Sequence, residues 1–161
     1  MSRADKAVHY AIVKQFAVIT VDNPPVNALS YSVRKGLAMS LEEASENDDV
    51  SGIIVNCSGR TFIAGADISE IGKPPGDPDL PELLEYLDAI EKPVMAVLHG
   101  TALGGGLETA LCCNYRISTP SARFGLPEVH LGLIPGAGGT QRLPRLIGVE
   151  KALAMVTSGN P

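Results

Sequence analysis

The 161-residue sequence predicts an α/β fold built on a mostly parallel sheet. Two features carry that prediction. Short apolar runs, such as Ile53-Ile54-Val55 and Val94-Met95-Ala96-Val97-Leu98, read as buried strands. They alternate with segments whose apolar residues recur at helical spacing, a strand–helix–strand rhythm. The composition, 45% hydrophobic and 19% charged, is that of a globular chain and argues against disorder.

Each element follows from local chemistry. Residues 9–13 and 16–21 are rich in β-branched and aromatic side chains, with a polar break at Lys14-Gln15. Asn23-Pro24-Pro25 stops the second strand, because proline cannot donate to a ladder. Ser30 is placed to cap a helix over about 31–46, where Val33, Leu37, Leu41 and Ala44 share one face. The acidic run Glu42, Glu43, Glu46, Asp48 and Asp49 reads as solvated surface. Residues 51–57 form the next strand, and 62–66 read as a strand end that turns into a short polar helix opened by Asp67. After the proline-rich loop 72–81, Pro81 suits a first helical position, and Leu83, Leu84, Leu87 and Ile90 make a stripe. Pro93 ends that helix and 94–98 is a strand. Gly104-Gly105-Gly106 leads into a small-residue helix through about Cys113; 115–118 is a strand, and helices over about 139–147 and 149–158 finish the chain. No fixed-period repeat occurs. A single, incomplete domain over 1–161 is expected, because the chain stops at Ser158-Gly159-Asn160-Pro161 without obvious terminal structure.

Charge and cysteine usage narrow the partners. The net charge is −5 and no basic stripe is present, which argues against nucleic acid. No apolar run reaches the ~18 residues that a membrane span needs, and the N-terminus lacks an apolar signal core. Cys57, Cys112 and Cys113 form no Cys-x-x-Cys pair and are odd in number, as in a reduced, cytoplasmic protein. A peroxisomal location is the alternative for a eukaryotic source. No metal site is expected, and His130 reads as structural.

Three segments carry possible chemistry. The glycine triplet before Glu108 opens a helix and leaves backbone N–H groups uncovered, at the positive end of a helix dipole. It suits an oxyanion, or equally a close helix–strand contact. Glu108 lies among Leu103, Ala110, Leu111 and Cys112, a costly setting for a carboxylate without a task or partner. Phe62-Ile63-Ala64-Gly65-Ala66-Asp67 offers a second set of N–H groups, or simply a turn capped by Asp67. Glu128 sits in the Gly/Pro-framed loop Phe124-Gly125-Leu126-Pro127-Glu128, as a functional group or a surface acid. Gly136-Ala137-Gly138-Gly139-Thr140 lacks the preceding strand and following acid of a dinucleotide loop, so that reading is rejected.

Taken jointly, these stretches resemble the crotonase (enoyl-CoA hydratase/isomerase) superfamily. The matching segments are Pro24-Pro25-Val26-Asn27-Ala28-Leu29, Phe62 to Ile68, Lys92-Pro93-Val94-Met95-Ala96-Val97, Gly100 to Glu108, Phe124 to Glu128, and Gly132 to Leu143. The wording is most similar to the hydratase part of multifunctional fatty-acid β-oxidation proteins that also hold a 3-hydroxyacyl-CoA dehydrogenase. The resemblance implies a ββα spiral core that stops before the family's C-terminal helices. It implies hydration of a trans-2-enoyl-CoA, with Glu108 and Glu128 as the acid/base pair and the N–H groups of Ala66 and Gly105 as the oxyanion hole. It assigns Pro25, Val26, Ala28, Ala64, Asp67, Ile68, Ser69 and Gly104 to the substrate and coenzyme A groove. Ser69 departs from the lysine common in hydratases, and His99 from an asparagine. The partner implied is an acyl-CoA thioester, with coenzyme A part of the substrate and no separate cofactor. The protein is expected to be a homo-oligomer or part of a multidomain chain. A Δ3-Δ2-enoyl-CoA isomerase, or an acyl-CoA-binding fragment without turnover, are the alternatives.

Overall fold

The computed structural model describes residues 7–70, 72, 73 and 76–161. β1 (Val8–Val13) and β2 (Phe16–Val21) form an antiparallel hairpin around Lys14 and Gln15, with Val13 opposite Phe16. Lys14 takes the left-handed conformation (φ 58°) that so short a turn demands. From β2 onward the main sheet is parallel. Its order is β1-β2-β3-β4-β6, with β3 at Gly52–Cys57, β4 at Val94–Leu98 and β6 at Tyr115–Ser118. Each parallel step needs a crossover. These are α1 (Tyr31–Glu46), α2 (Leu80–Ala89) and α3 (Gly105–Cys112).

The core lies on one face of this sheet. Ile19 and Val21, Ile53 and Val55, and Val94 and Ala96 meet Val33, Leu37 and Leu41 of α1 and Leu83, Leu84 and Leu87 of α2. The apolar runs suggested strands buried throughout. Instead β3 and β4 alternate: Ile54, Met95 and Val97 turn to the other face and are only half-buried. A smaller cluster of Leu107, Leu111, Leu126, Leu143 and Ala152 packs α3 against α4 (Gly139–Ile147) and α5 (Val149–Ser158). No helix among the described residues is long and apolar enough to cross a membrane.

Several local expectations change. Residues 62–66 are not a strand; they bend at Phe62 and Gly65, bond to His99 and Leu103, and meet the preceding chain through Val26 and an isolated Leu29–Ala66 bridge. A second, two-stranded parallel sheet pairs β5 (Thr101–Leu103) with β7 (Arg123–Gly125). Three residues per strand is too short for a periodicity to register. The Ser30 hydroxyl caps nothing and bonds Ser32 instead; Glu70 accepts the Tyr31 N–H of α1 at 2.7 Å. Asp67 does cap its short turn, Ile68–Glu70, by accepting the Ser69 N–H. α2 begins one residue before Pro81, behind a capping box of Asp79 and Glu82.

Candidate active site

The glycine triplet does two jobs. Gly104 turns the chain out of β5 with φ +51°, a conformation unfavourable for any residue with a side chain. A Cβ on Gly106 would lie 2.1 Å from the carbonyl oxygen of Ile63, so this glycine exists for close backbone contact. Gly105 is the first residue of α3, and its N–H has no carbonyl four residues earlier in the helix to donate to. A Cβ there would meet Leu80 at 2.6 Å.

The neighbouring segment brings a second free amide. Leu29 donates its N–H to Gly65 at 2.9 Å, so in the parallel Leu29–Ala66 bridge the bonding falls on the residues flanking Ala66. The N–H of Ala66 itself turns away from Leu29. Among the described residues neither Ala66 nor Gly105 donates its amide to a protein acceptor. The two carriers are adjacent, because a Cβ on Gly104 would come within 3.9 Å of the Cα of Gly65. Ala66 also lines a cleft of about 190 Å³ with Arg34 and Leu80, the residue that covers Gly105.

Glu108 is 2% exposed, in the first turn of α3. Its Oε1 accepts the N–H groups of Ala137 and Gly139, each at 2.8 Å. Burial raises its pKa, and the Gly139 and Ala137 amides pull the other way. Glu128 is half-buried in a short 3-10 turn, Pro127–Leu131, rather than in an irregular loop. Its Oε2 is shielded from solvent and bonds to nothing among the described residues. Burial raises its pKa; its own backbone amide opposes the shift and the charge of Glu108 adds to it. Gly104 stands beside both acids. It accepts the Glu108 N–H at 2.9 Å, and a Cβ on it would lie 3.0 Å from Oε1 of Glu128.

The two carboxyls are therefore unlike. Burial raises both pKa values; at Glu108 two amide donors oppose the rise, whereas at Glu128 the neighbouring Glu108 charge adds to it. Two carboxyls in unlike surroundings thus flank the same glycine, beside the segments that carry the Ala66 and Gly105 amides. A cavity of about 520 Å³ between α3, β6, α4 and α5 has no acidic residue in its lining and is not this site.

Residues 12–161 match the model of the enoyl-CoA hydratase/isomerase family. The chain belongs to that family. It is 50% identical over 151 residues to the peroxisomal bifunctional enzyme of Danio rerio, covering 93% of this chain and 21% of that protein. It is 43% identical to a probable enoyl-CoA hydratase of Bacillus subtilis, covering 96% of this chain and 63% of the relative. The crystal structure of an enoyl-CoA hydratase from Thermoplasma volcanium superposes with a TM-score of 0.89 at 29% identity, over 99% of this chain and 67% of that one. The chain thus spans less than two thirds of both curated relatives.

Of the remaining residues expected from the family resemblance, Asp67 lines the cleft beside Ala66. Val26 accepts the Ala64 N–H at 3.2 Å, and Ala28 accepts from the Asn23 side chain at 3.0 Å. Pro25, Val26 and Ile68 are exposed, the last at 70%. Asp67 and Ser69 engage each other; the Ser69 hydroxyl and amide hold the Asp67 carboxyl below its ordinary pKa.

Sequence reasoning missed the groups that orient this enoyl-CoA hydratase/isomerase site. The run Gly136 to Gly139 belongs to a segment that matches the family but carries no site role in the sequence, yet it supplies both amides that hold Glu108. A Cβ on Gly139 would lie 2.9 Å from Glu108 Oε1, so the glycine itself was the signal. Asn27 was also passed over. It is 3% exposed, has φ 54°, and donates its side-chain amide to Ser58 at 2.8 Å and Thr61 at 2.9 Å, pinning the Pro25–Ala28 turn.

Proposed function

We propose that this chain is the catalytic core of an enoyl-CoA hydratase acting in fatty-acid β-oxidation. It adds water across the trans-2 double bond of an enoyl-CoA to give 3-hydroxyacyl-CoA. Glu108 takes a proton from water as its oxygen bonds to Cβ. The π electrons move to the thioester oxygen, where the N–H groups of Ala66 and Gly105 stabilise the enolate. Such a donor is commonly worth about 3 kcal/mol. Glu128 then gives its proton to Cα, and the reverse reaction exchanges the roles. The observation that carries this reading is the contrast between a doubly amide-bonded Glu108 and an undonated Glu128 Oε2.

The substrate is accordingly an acyl-CoA thioester. The Danio rerio relative, of which the chain covers 21%, supports a multidomain setting and a peroxisomal location over a cytoplasmic one. The Bacillus subtilis relative supports a hydratase of smaller size. The test offers crotonyl-CoA and a 3-enoyl-CoA in parallel. Loss of enoyl absorbance from crotonyl-CoA is expected. Turnover of the 3-enoyl substrate alone would assign an isomerase, and binding without turnover would refute an enzymatic role.

A further inference from the structure

The Arg34 side chain is 8% exposed, and in a chain of net charge −5 a buried guanidinium is costly unless its donors are used. They are used on three separate segments. Nη1 donates to the Leu29 carbonyl at 2.8 Å and to Oε2 of Glu70 at 2.9 Å, and Nε donates to the Pro78 carbonyl at 3.0 Å. The other oxygen of Glu70 takes the first amide of α1, from Tyr31, at 2.7 Å.

Each of these segments supports a carrier of a free amide. Leu29 is the bridge partner of Ala66 and bonds Gly65. Glu70 closes the short turn that follows Ala66 and Asp67. Pro78 leads into Asp79, the cap of α2, and Leu80, whose side chain fills the space beside Gly105. Arg34, Glu70, Ala66 and Leu80 line one cleft. A pair serving only to stabilise the end of α1 would need contact with α1 and Glu70; nothing in that task calls for Leu29 and Pro78.

We propose that the Arg34–Glu70 pair acts as a positioning device that sets the spacing of the Ala66 and Gly105 N–H groups. This rests on the hydratase reading, in which those amides grip the thioester oxygen. Neither residue touches the reacting atoms. Their effect passes through the 29–30, 66–70 and 78–80 segments.

The test compares wild type, Arg34→Lys and Glu70→Gln by crotonyl-CoA hydration, by the absorption red shift of a bound chromophoric cinnamoyl-CoA, and by thermal unfolding. The red shift reports polarisation of the thioester carbonyl by the two amides. Both variants should lower kcat about tenfold or more, leave KM within about twofold, and reduce the red shift, since small misplacement of binding donors costs this much. Glu70→Gln keeps an acceptor for Tyr31 and changes a side chain that is 33% exposed, so it carries the test alone if Arg34→Lys fails to fold. Unchanged kcat and red shift in a folded variant, even with a lower melting temperature, would overturn the proposal. A wild type that binds the probe without a red shift would instead overturn the hydratase reading, and this inference with it.

Discussion

Oε1 of Glu108 lies 2.8 Å from the backbone nitrogen of Gly139, and a single methyl group on that glycine would come within 2.9 Å of the same oxygen. The first residue of α4 thereby holds a buried acid of α3, and its lack of a side chain is a condition of doing so.

Gly139→Ala tests that condition. The added methyl displaces the carboxylate or shifts α4. Hydration should fall about tenfold or more, while stability drops by only about 1–3 kcal/mol, the range for overpacking. Steady-state kinetics and denaturant unfolding on the same preparation check both. A full-speed variant would show that Glu108 needs no fixed position.

Glu128→Gln should stabilise the protein at neutral pH while lowering kcat by about 10²-fold or more. The pKa of Glu128 is raised in the folded state, so the folded protein binds this proton more tightly than the unfolded chain. Wild-type stability therefore falls as pH rises from the ordinary glutamate value of about 4.3 through the raised one. Glutamine has no such loss. Melting temperatures should coincide near pH 4 and separate, variant above wild type, toward pH 7. Equal melting temperatures throughout would mean that the carboxyl is not destabilised.

The pH profile of kcat/KM should be bell-shaped, with its acid limb above the usual carboxylate range. Activity disappears at low pH as Glu108 gains a proton, and at high pH as Glu128 loses one, both from raised values. The charges interact, so the limbs belong to the pair. In Glu128→Gln the residual rate should lose its alkaline limb.

Asn27→Ala should cost about 2–4 kcal/mol, measured by urea unfolding. It strips the side-chain donor from the Ser58 and Thr61 carbonyls and places alanine at φ 54°. Hydration should fall as well, since the turn ahead of Leu29 loosens. A loss under about 0.5 kcal/mol, the range of ordinary surface substitutions, would remove Asn27 from the scaffold.

The main sheet was legible because its signals are local. Ile53 to Val55 and Val94 to Leu98 announce strands, and the stripe Val33, Leu37, Leu41, Ala44 announces α1. The β5–β7 sheet was not, since three residues carry no period, and the cap of α1 was misread because Glu70 reaches it from 39 residues away. Both acids were legible as carboxylates in apolar surroundings. Their difference was hidden: the Gly139 amide that holds Glu108 lies 31 residues along the chain, and the undonated oxygen of Glu128 exists only once α3 and the 127–131 turn are packed together.

The most direct test measures crotonyl-CoA hydration by Glu108→Gln and Glu128→Gln, with affinity for a saturated acyl-CoA determined alongside. Each variant should retain thioester binding within a few-fold and lose about 10²-fold or more in kcat, as removal of a general acid or base does. A full hydration rate in either variant, or a deficit confined to binding, would contradict the acid/base pair.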